Sequence, residues 1–364
     1  MKIAKATRKY EAWLSKYCGI VEDDLLLKHQ RMAENLFYFL RATFYRWMEL
    51  WEETCPELAG APNLLAVGDL HVENFGTWRD IEGRLVWGIN DFDEVYPMPY
   101  TVDLVRLAVS AHLAAGAGHL AIKPGHACGA ILEGYRGGLA AGGDPFILEH
   151  KHDWLRSLAT NELRNPVHFW EKMDKLARPK GPVPRSALKA LARMMPEQGL
   201  MLDIRHRVAG LGSLGRARYV ALANWRGGRV AREAKALAPS AIVWAKGGKG
   251  SKRIFYQKIL RSSVRCLDPF VELKGRWIVR RLAPHCSRVE LTSLPKERDE
   301  IKLLHAMGWE TANVHLGSPR CIKAVRRNLD GLPANWLHAA AQQMMKATLS
   351  DWEKWKEAVH KTMG

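Results

Sequence analysis

VGDLHVENFG, residues 67–76, followed by INDFDE, residues 89–94, is the stretch on which the fold turns. Each segment comes directly after a short apolar run, Leu64–Val67 and Leu85–Ile89, so the spacing places Asp69, Asn74, Asp91 and Asp93 at strand ends. Carboxylates held close together repel, and a site that gathers them usually holds a divalent cation. An oxygen-only donor set suits Mg²⁺, which typically bridges substrate phosphates. The plainer reading makes Asp69 and Asp91 loop acids that cap helices and turns. GD-x-H also opens metallophosphoesterase sites, but no GNH-type segment follows to supply the remaining ligands.

Upstream, Leu25, Met32, Leu36, Leu40, Phe44, Trp47 and Trp51 fall at three- and four-residue steps, which predicts a helix over 24–51. Pro56, Gly60 and Pro62 end that pattern. Downstream, 101–115 reads as a helix opening at Thr101. The long apolar stretch Val102–Ile122 carries Asp103, Arg106, His112 and His119, which argues for a buried helix and against a membrane span. Residues 176–186, with Pro179, Gly181, Pro182 and Pro184, read as a linker. Strand patterns follow, including RYVALANW, a turn at Arg226-Gly227-Gly228, and WIVRRL over 277–282. Helices return at 296–315 and 334–360, the last with Leu337, Met344, Leu349, Trp352 and Val359 on one stripe.

Composition narrows the class. The 364 residues are 47% hydrophobic, which excludes wholesale disorder and predicts about two lobes. MKIAKATRKYEAW lacks the apolar core of a signal peptide, and the six cysteines form no CxxC pair. A cytoplasmic protein with reduced thiols and no membrane partner is expected. The formal charge is +17, and it is clustered: Arg205–Arg265 holds 15 Lys or Arg against one acid, Glu233. Such clustering predicts an anion nearby, whether nucleotide phosphate, nucleic acid or an acidic partner.

Within that basic stretch lies GLGSLG, Gly210–Gly215. A dinucleotide-binding loop would run into a helix. Here a β-branched, aromatic run follows, which predicts a hairpin of the kind whose glycine loop covers phosphates. Lys235 follows where a dinucleotide fold would want an acid. The plainer readings are a flexible hairpin and a solvated surface lysine.

Together these segments resemble the protein-kinase-like superfamily, and within it the aminoglycoside- and choline-phosphotransferase branch. Gly68–Asn74 resembles the catalytic loop, INDFDE the metal-binding segment, and VDLVRLA, with Asp103, the helix whose aspartate braces the catalytic loop. The glycine loop and lysine should come first but here follow, while LLHAMGWETANVHLGSP (303–319) resembles the helix that normally runs into the catalytic loop. The order is that of a circular permutation. The bacterial family called domain of unknown function 2252 shares this order, and FYFLRATF, GDLHVENFG, NDFDE, GLGSLG, the lysine before APSA and WIVRRL resemble its wording over roughly 28–320.

The resemblance implies an α+β, two-lobed, circularly permuted kinase-like fold. A helical catalytic lobe would span 1–204, a strand-rich nucleotide lobe 205–285, and closing helices 286–364. It implies ATP and Mg²⁺. Asp69 would be base or orienter for an acceptor hydroxyl, Asn74 and Asp91 would hold Mg²⁺ with help from Asp93, and Gly210, Gly212, Ser213, Gly215 and Lys235 would hold ATP. Asp103 would support the loop through backbone hydrogen bonds. His71 and His315 read as packing residues, Arg41 as an exposed helix arginine, and at most one of Arg280 and Arg281 would face the site. No Asp or Glu occurs from Ala236 to Leu267, so the partner of Lys235 is expected to be Asp268, Glu272 or Gln257.

The leading expectation is a phosphotransferase acting on a small hydroxyl compound, for which the surplus positive charge suggests an anion. The alternatives are a nucleotide-binding pseudokinase or a nucleotidyl-transferring enzyme of the same fold. Nucleic-acid binding by the basic stretch, with Tyr219, Trp225, Trp244, Phe255 and Tyr256 interleaved, is less favoured than a solvated strand face over core aromatics.

Overall fold

The computed structural model describes residues 1–149, 151–159, 165–284, 286 and 299–363. The chain is mixed α+β, and its strand pairs are antiparallel. The strands are β1 (Asn63–Ala66), β2 (Phe75–Arg79), β3 (Leu85–Ile89), β4 (Tyr96–Pro99), β5 (Phe146–Ile147), β6 (Asp203–His206), β7 (Arg218–Trp225), β8 (Gly228–Ala236), β9 (Val271–Lys274) and β10 (Trp277–Leu282). They form a β1-β4 pair, a β2-β3-β5 sheet and a five-stranded sheet of order β6-β7-β8-β10-β9.

The helix Thr101–Gly116 is the centre of the helical part. Its Asp103, Arg106 and Ser110 are as buried as its leucines and valines, as expected of a helix enclosed on every side. The helices Pro124–Ala141 and Glu300–His315 cross beside it in close contact. A Cβ on Gly134 would overlap the His305 carbonyl, and one on Gly308 would overlap the Ile131 carbonyl. The chain's late helix is thereby locked onto its first half. The helix expected from 296 begins at Glu300, capped by Asp299 Oδ1 accepting from Lys302 N at 2.9 Å; residues 296–298 lie outside the described residues.

Two expected helices differ. The segment 24–51 is three helices, Glu22–Glu34, Leu36–Ala42 and Phe44–Thr54. Asn35 is extended and its Oδ1 caps the second helix by accepting from Tyr38 N at 2.8 Å, and Thr43 breaks the backbone again. Met32, Leu40, Phe44, Trp47 and Trp51 are all buried, so their spacing marks the core face across both breaks. In the last helix, Trp336–Met363, Leu349 is exposed and the buried line runs through Met344, Thr348, Asp351 and Trp355. Asp351 is drawn inward by Arg46 Nε at 2.6 Å.

The five-stranded sheet is covered on both faces. Between β7 and β8, Arg226 and Gly227 both take positive φ, 45° and 79°, as a tight hairpin turn requires. One face buries Ala221, Ala234 and Val279 under Ala187, Ala190 and Leu191 of the helix Arg185–Arg193. Helix formation thus resumes at the end of the expected 176–186 linker. The opposite face places Val220, Leu222, Ala231 and Leu282 under Met173, Phe169 and Trp170 of the helix Pro166–Asp174. That helix is pinned by Arg229 to Asp174 (2.9 Å) and by Arg229 stacked on Trp170 (4.7 Å). The strand after it holds the following turn through His206 N to Ala177 O at 2.8 Å.

The aromatic residues of the basic stretch are largely spent on packing. Tyr219, Phe255 and Tyr256 are buried, Trp244 packs on the core, and Trp225 donates to Glu197 at 3.1 Å from the hairpin tip. All six cysteines are free thiols. Among the described residues no helix is long and apolar enough to cross a membrane.

Glu233, the lone acid of the basic stretch, is fully buried on β8 and surrounded by arginines. It accepts from Arg280 Nε at 2.8 Å, from Arg218 Nη1 at 3.3 Å and from Arg207. Burial alone would raise its pKa, but Arg218, Arg280 and Arg207 outweigh it and hold the carboxyl well below the usual range. A depressed folded-state value stabilises above the unfolded value and is lost as pH falls through the folded one. Glu233→Gln leaves three cations without their counterion and is expected to cost about 3–5 kcal/mol in urea denaturation at pH 7. The gap between variant and parent should narrow below the ordinary glutamate value of about 4.3. An unchanged gap in acid would rule out the carboxylate's charge as the source.

Candidate functional site

The loop between β1 and β2 carries Asp69 and Asn74, and its start is fixed by Asp103. The two Asp103 oxygens accept from Val67 N and Gly68 N, each at 2.7 Å, as the bracing role predicts. His315 Nε2 lies 2.9 Å from Asp103 Oδ2, and its other nitrogen lies 2.9 Å from Tyr135 Oη. Gly68 turns at φ 88°, where a Cβ would come within 2.7 Å of the Glu94 carbonyl; only glycine fits there.

The β2–β3 hairpin then brings the second acidic segment back. Its register pairs Phe75 with Ile89, which sets Asn90 N 3.0 Å from Asn74 O. The Asn74 amide nitrogen donates to the carbonyls of Asp69 (3.1 Å) and Asp91 (3.4 Å). One buried side chain therefore ties the two segments together.

Asp69 Oδ1 accepts from Arg106 Nε at 2.8 Å and Nη2 at 2.5 Å. Arg106 is fully buried, donates also to Leu40 O, and lies over the rings of Phe44 and Trp47 at 5.1 and 4.9 Å. Burial raises the Asp69 pKa to about 6; Arg106 opposes this, while Glu94 and Asp91 add to it. At neutral pH the group is mostly ionised and its Oδ2 is the oxygen left over from the arginine. Arg106 is a site residue that the sequence reading used only against a membrane span. The usable signal was its i,i+3 spacing from Asp103, which puts both side chains on one helix face.

The glycine loop joins β6 to β7 and closes over this acid. Gly210 and Gly215 have φ of 73° and 91°, flanking a 3-10 turn at Leu211–Ser213. A Cβ on Gly212 would stand 3.2 Å from Asp69 Oδ2 and 2.9 Å from Arg41 O. Ser213 Oγ accepts from Arg218 Nη2 at 2.7 Å, and Lys28 Nζ reaches Gly212 O at 3.5 Å.

Lys235 corrects an expectation. Its partners are the acids of INDFDE itself, Asp93 Oδ1 at 2.6 Å and Asp91 Oδ1 at 3.2 Å. Asp268 Oδ1 instead accepts from Phe270 N, Glu272 pairs with Lys274, and Gln257 accepts from Leu273 N. Burial raises the Asp93 pKa, and the neighbouring charge of Asp91 adds to this.

Three further residues were missed or misplaced in sequence. Arg216, directly after the glycine loop, bonds Glu94 Oε1 at 3.0 Å and lies 3.6 Å from Asp93 Oδ2. Glu94 also caps the helix Ala241–Ala245 by accepting from Ala241 N at 2.6 Å. Arg41 is not exposed: it is buried at the cleft wall and pairs with Glu73. His71, by contrast, is packed as expected and accepts from Glu73 N at 3.2 Å.

Asp69, Asn74, Asp91, Asp93, Gly210, Gly212 and Ser213 line one cleft of about 430 Å³, counted out to open solvent; Lys235 is buried behind its acids and Gly215 faces Leu25, so neither lines it. Behind INDFDE lies a second cavity, of about 650 Å³, walled by Asn90, Phe92, Arg265, Arg280 and Arg281. Neighbouring side chains of the segment thus serve opposite cavities, as alternation along an extended chain requires.

No curated protein and no solved structure matches the chain. One family model does, over residues 20–165 and 184–358. The interval it skips contains the helix Pro166–Asp174 that lies across the sheet. With most of its length matched in this way, the chain belongs to the family described as uncharacterized proteins conserved in bacteria, DUF2252.

Proposed function

We propose that the protein is an ATP- and Mg²⁺-dependent phosphotransferase acting on a hydroxyl group, with a circularly permuted kinase-like fold. The observation that carries the reading is the pairing of buried Lys235 with Asp91 and Asp93, two acids that line the cleft together with Asp69, Asn74, Gly210, Gly212 and Ser213. In protein kinases the glycine loop precedes a lysine on the third strand of its sheet. Here the loop joins β6 to β7 and Lys235 sits on β8, the third strand in order.

The donor chemistry fits Mg²⁺. Two carboxylates and an amide oxygen converge, and the Lys235 ammonium already bridges the two carboxylates as a cation would. Asn74 and Asp91, with Asp93, would hold the ion, which when bound neutralises charge on the transferred phosphoryl group. Asp69 orients the acceptor. As the new O–P bond forms and the bond to ADP breaks, the acceptor proton passes to Asp69 Oδ2, while Arg106 holds Oδ1. Lys235 and the loop amides take the ATP phosphates.

A nucleotide anchored at Lys235 would lay its base along the same sheet face, on Val220, Leu222, Ala231 and Leu282. The helix Pro166–Asp174 covers that surface. It acts as a strap that must shift for the base to enter, and it competes with nucleotide.

The second reading, a nucleotide-binding module without turnover, is favoured by the closeness of Gly212 to Asp69 and by the arginine on Asp69 Oδ1. Measurement separates the two. Calorimetry with Mg-ATP should show binding, and its absence overturns both. Asp69→Ala and Asp91→Ala should each lower phosphoryl transfer at least ~10²-fold, with unchanged circular dichroism. ATP binding without transfer across a broad screen of hydroxyl acceptors selects the second reading. Nucleotidyl transfer would be read from the mass added to the acceptor.

The strap gives an independent prediction. Trp170→Ala combined with Arg229→Ala should tighten ATP binding several-fold, because the apparent dissociation constant scales inversely with the open fraction. Unchanged or weaker binding would place the base elsewhere.

A further inference from the structure

Away from the cleft, three metal-ligand side chains converge from three helices. His112 is on Thr101–Gly116, Cys128 on Pro124–Ala141 and His338 on Trp336–Met363. His112 Nε2 lies 3.3 Å from Cys128 Sγ, and Cys128 Sγ lies 4.0 Å from His338 Nδ1. The three ligand atoms all fall within 4.8 Å of one another. His112 and Cys128 are buried, at 5% and 3% exposure, whereas His338 is half-buried and borders solvent.

We propose that His112, Cys128 and His338 bind one zinc-type metal ion, at a site separate from the phosphotransfer cleft.

The distances fit the ion. Tetrahedral zinc with bonds of about 2.3 Å to sulfur and about 2.0–2.1 Å to nitrogen sets sulfur and nitrogen about 3.5 Å apart. The two observed separations, 3.3 and 4.0 Å, bracket that value. The donor set selects the metal class: one thiolate and two imidazoles with no carboxylate suit zinc, cobalt or copper and not magnesium or calcium. Three protein ligands leave a fourth position for water or for a small ligand. Access comes past His338. His112 Nε2 also lies 3.2 Å from Pro124 O, and its ring stands edge-on to His338 with centroids 5.4 Å apart. Binding replaces the thiol proton of Cys128 with the metal, and the proton leaves to solvent.

The ion would join elements far apart in sequence. It would tie the C-terminal helix to two helices of the central layer, one of which carries Asp103 and Arg106. It would therefore act as a staple whose loss loosens the C-terminal helix without touching the cleft residues.

The test uses the full chain, freed of metal by chelator and dialysis, with Co²⁺ as the spectroscopic probe and Zn²⁺ as competitor. One equivalent of Co²⁺ should give tetrahedral d–d bands and a thiolate-to-cobalt charge-transfer band, both removed by Zn²⁺. Cys128→Ser should lose the charge-transfer band. His338→Ala, at a half-buried position, should stay folded and bind Co²⁺ at least ~100-fold more weakly, since even outer-shell changes cost about 10–100-fold. Zn²⁺ should raise the thermal midpoint of the parent and not of His338→Ala. The proposal is overturned if the folded parent gives no thiolate band, or if the band persists undiminished in Cys128→Ser and so belongs to another cysteine.

Discussion

Asp103 is the residue on which the arrangement of this protein depends. Its two oxygens take the backbone N–H groups of Val67 and Gly68, and one of them also meets His315. Three segments far apart in sequence are thereby fixed at one buried point: the loop that carries Asp69, the central helix and the late helix Glu300–His315. A buried carboxylate is tolerated only when its oxygens are fully bonded. Each of these partners is therefore required by the others, and the loop is positioned before any ligand arrives. The same bond network joins residue 315 to residue 67 in space, although the chain between them is most of its length.

The cleft built on that point is neutralised internally. Asp69 faces Arg106, Asp91 and Asp93 face Lys235, and Glu94 faces Arg216. These four carboxylates share three cations, each brought from another element. A ligand with its own charges must exchange partners with these pairs. Phosphates would draw Lys235 away, and a divalent cation would replace it on Asp91 and Asp93. Such an exchange restrains binding to ligands that bring both charges at once, because either alone strands a buried ion.

Much of this was legible in sequence, and the reasons differ residue by residue. The loops around Asp69 and Asp91 were readable because strand-ending apolar runs and short polar turns are local. The turn at Arg226-Gly227 is local as well. What escaped was tertiary. No spacing rule pairs Lys235 with acids 142 and 144 residues earlier, and the expected partners Asp268, Glu272 and Gln257 all lie after it in the chain. Asn35 interrupted a helix whose apolar spacing continued undisturbed, because that spacing reports which side faces the core. Leu349 fell on the periodic stripe but outside the contact, since a helix of 28 residues drifts relative to any fixed repeat.

The basic stretch shows the same principle at larger scale. Read linearly, Arg205–Arg265 calls for an external anion. In three dimensions the protein supplies much of it. Arg205 meets Asp203, Arg207 and Arg218 meet Glu233, Arg216 meets Glu94, Arg229 meets Asp174 and Lys235 meets Asp91 and Asp93. Apart from Glu233, all those acids lie outside the stretch. Seven cations of the stretch stay exposed, Lys246, Lys249, Lys252 and Arg253 close together after the helix Ala241–Ala245, and Arg226, Lys258 and Arg261 elsewhere. Composition counts charge along the chain, whereas folding pairs it across sheets and helices. An anion would therefore meet these exposed cations more readily than the arginines already paired with Asp203, Glu233 and Asp174.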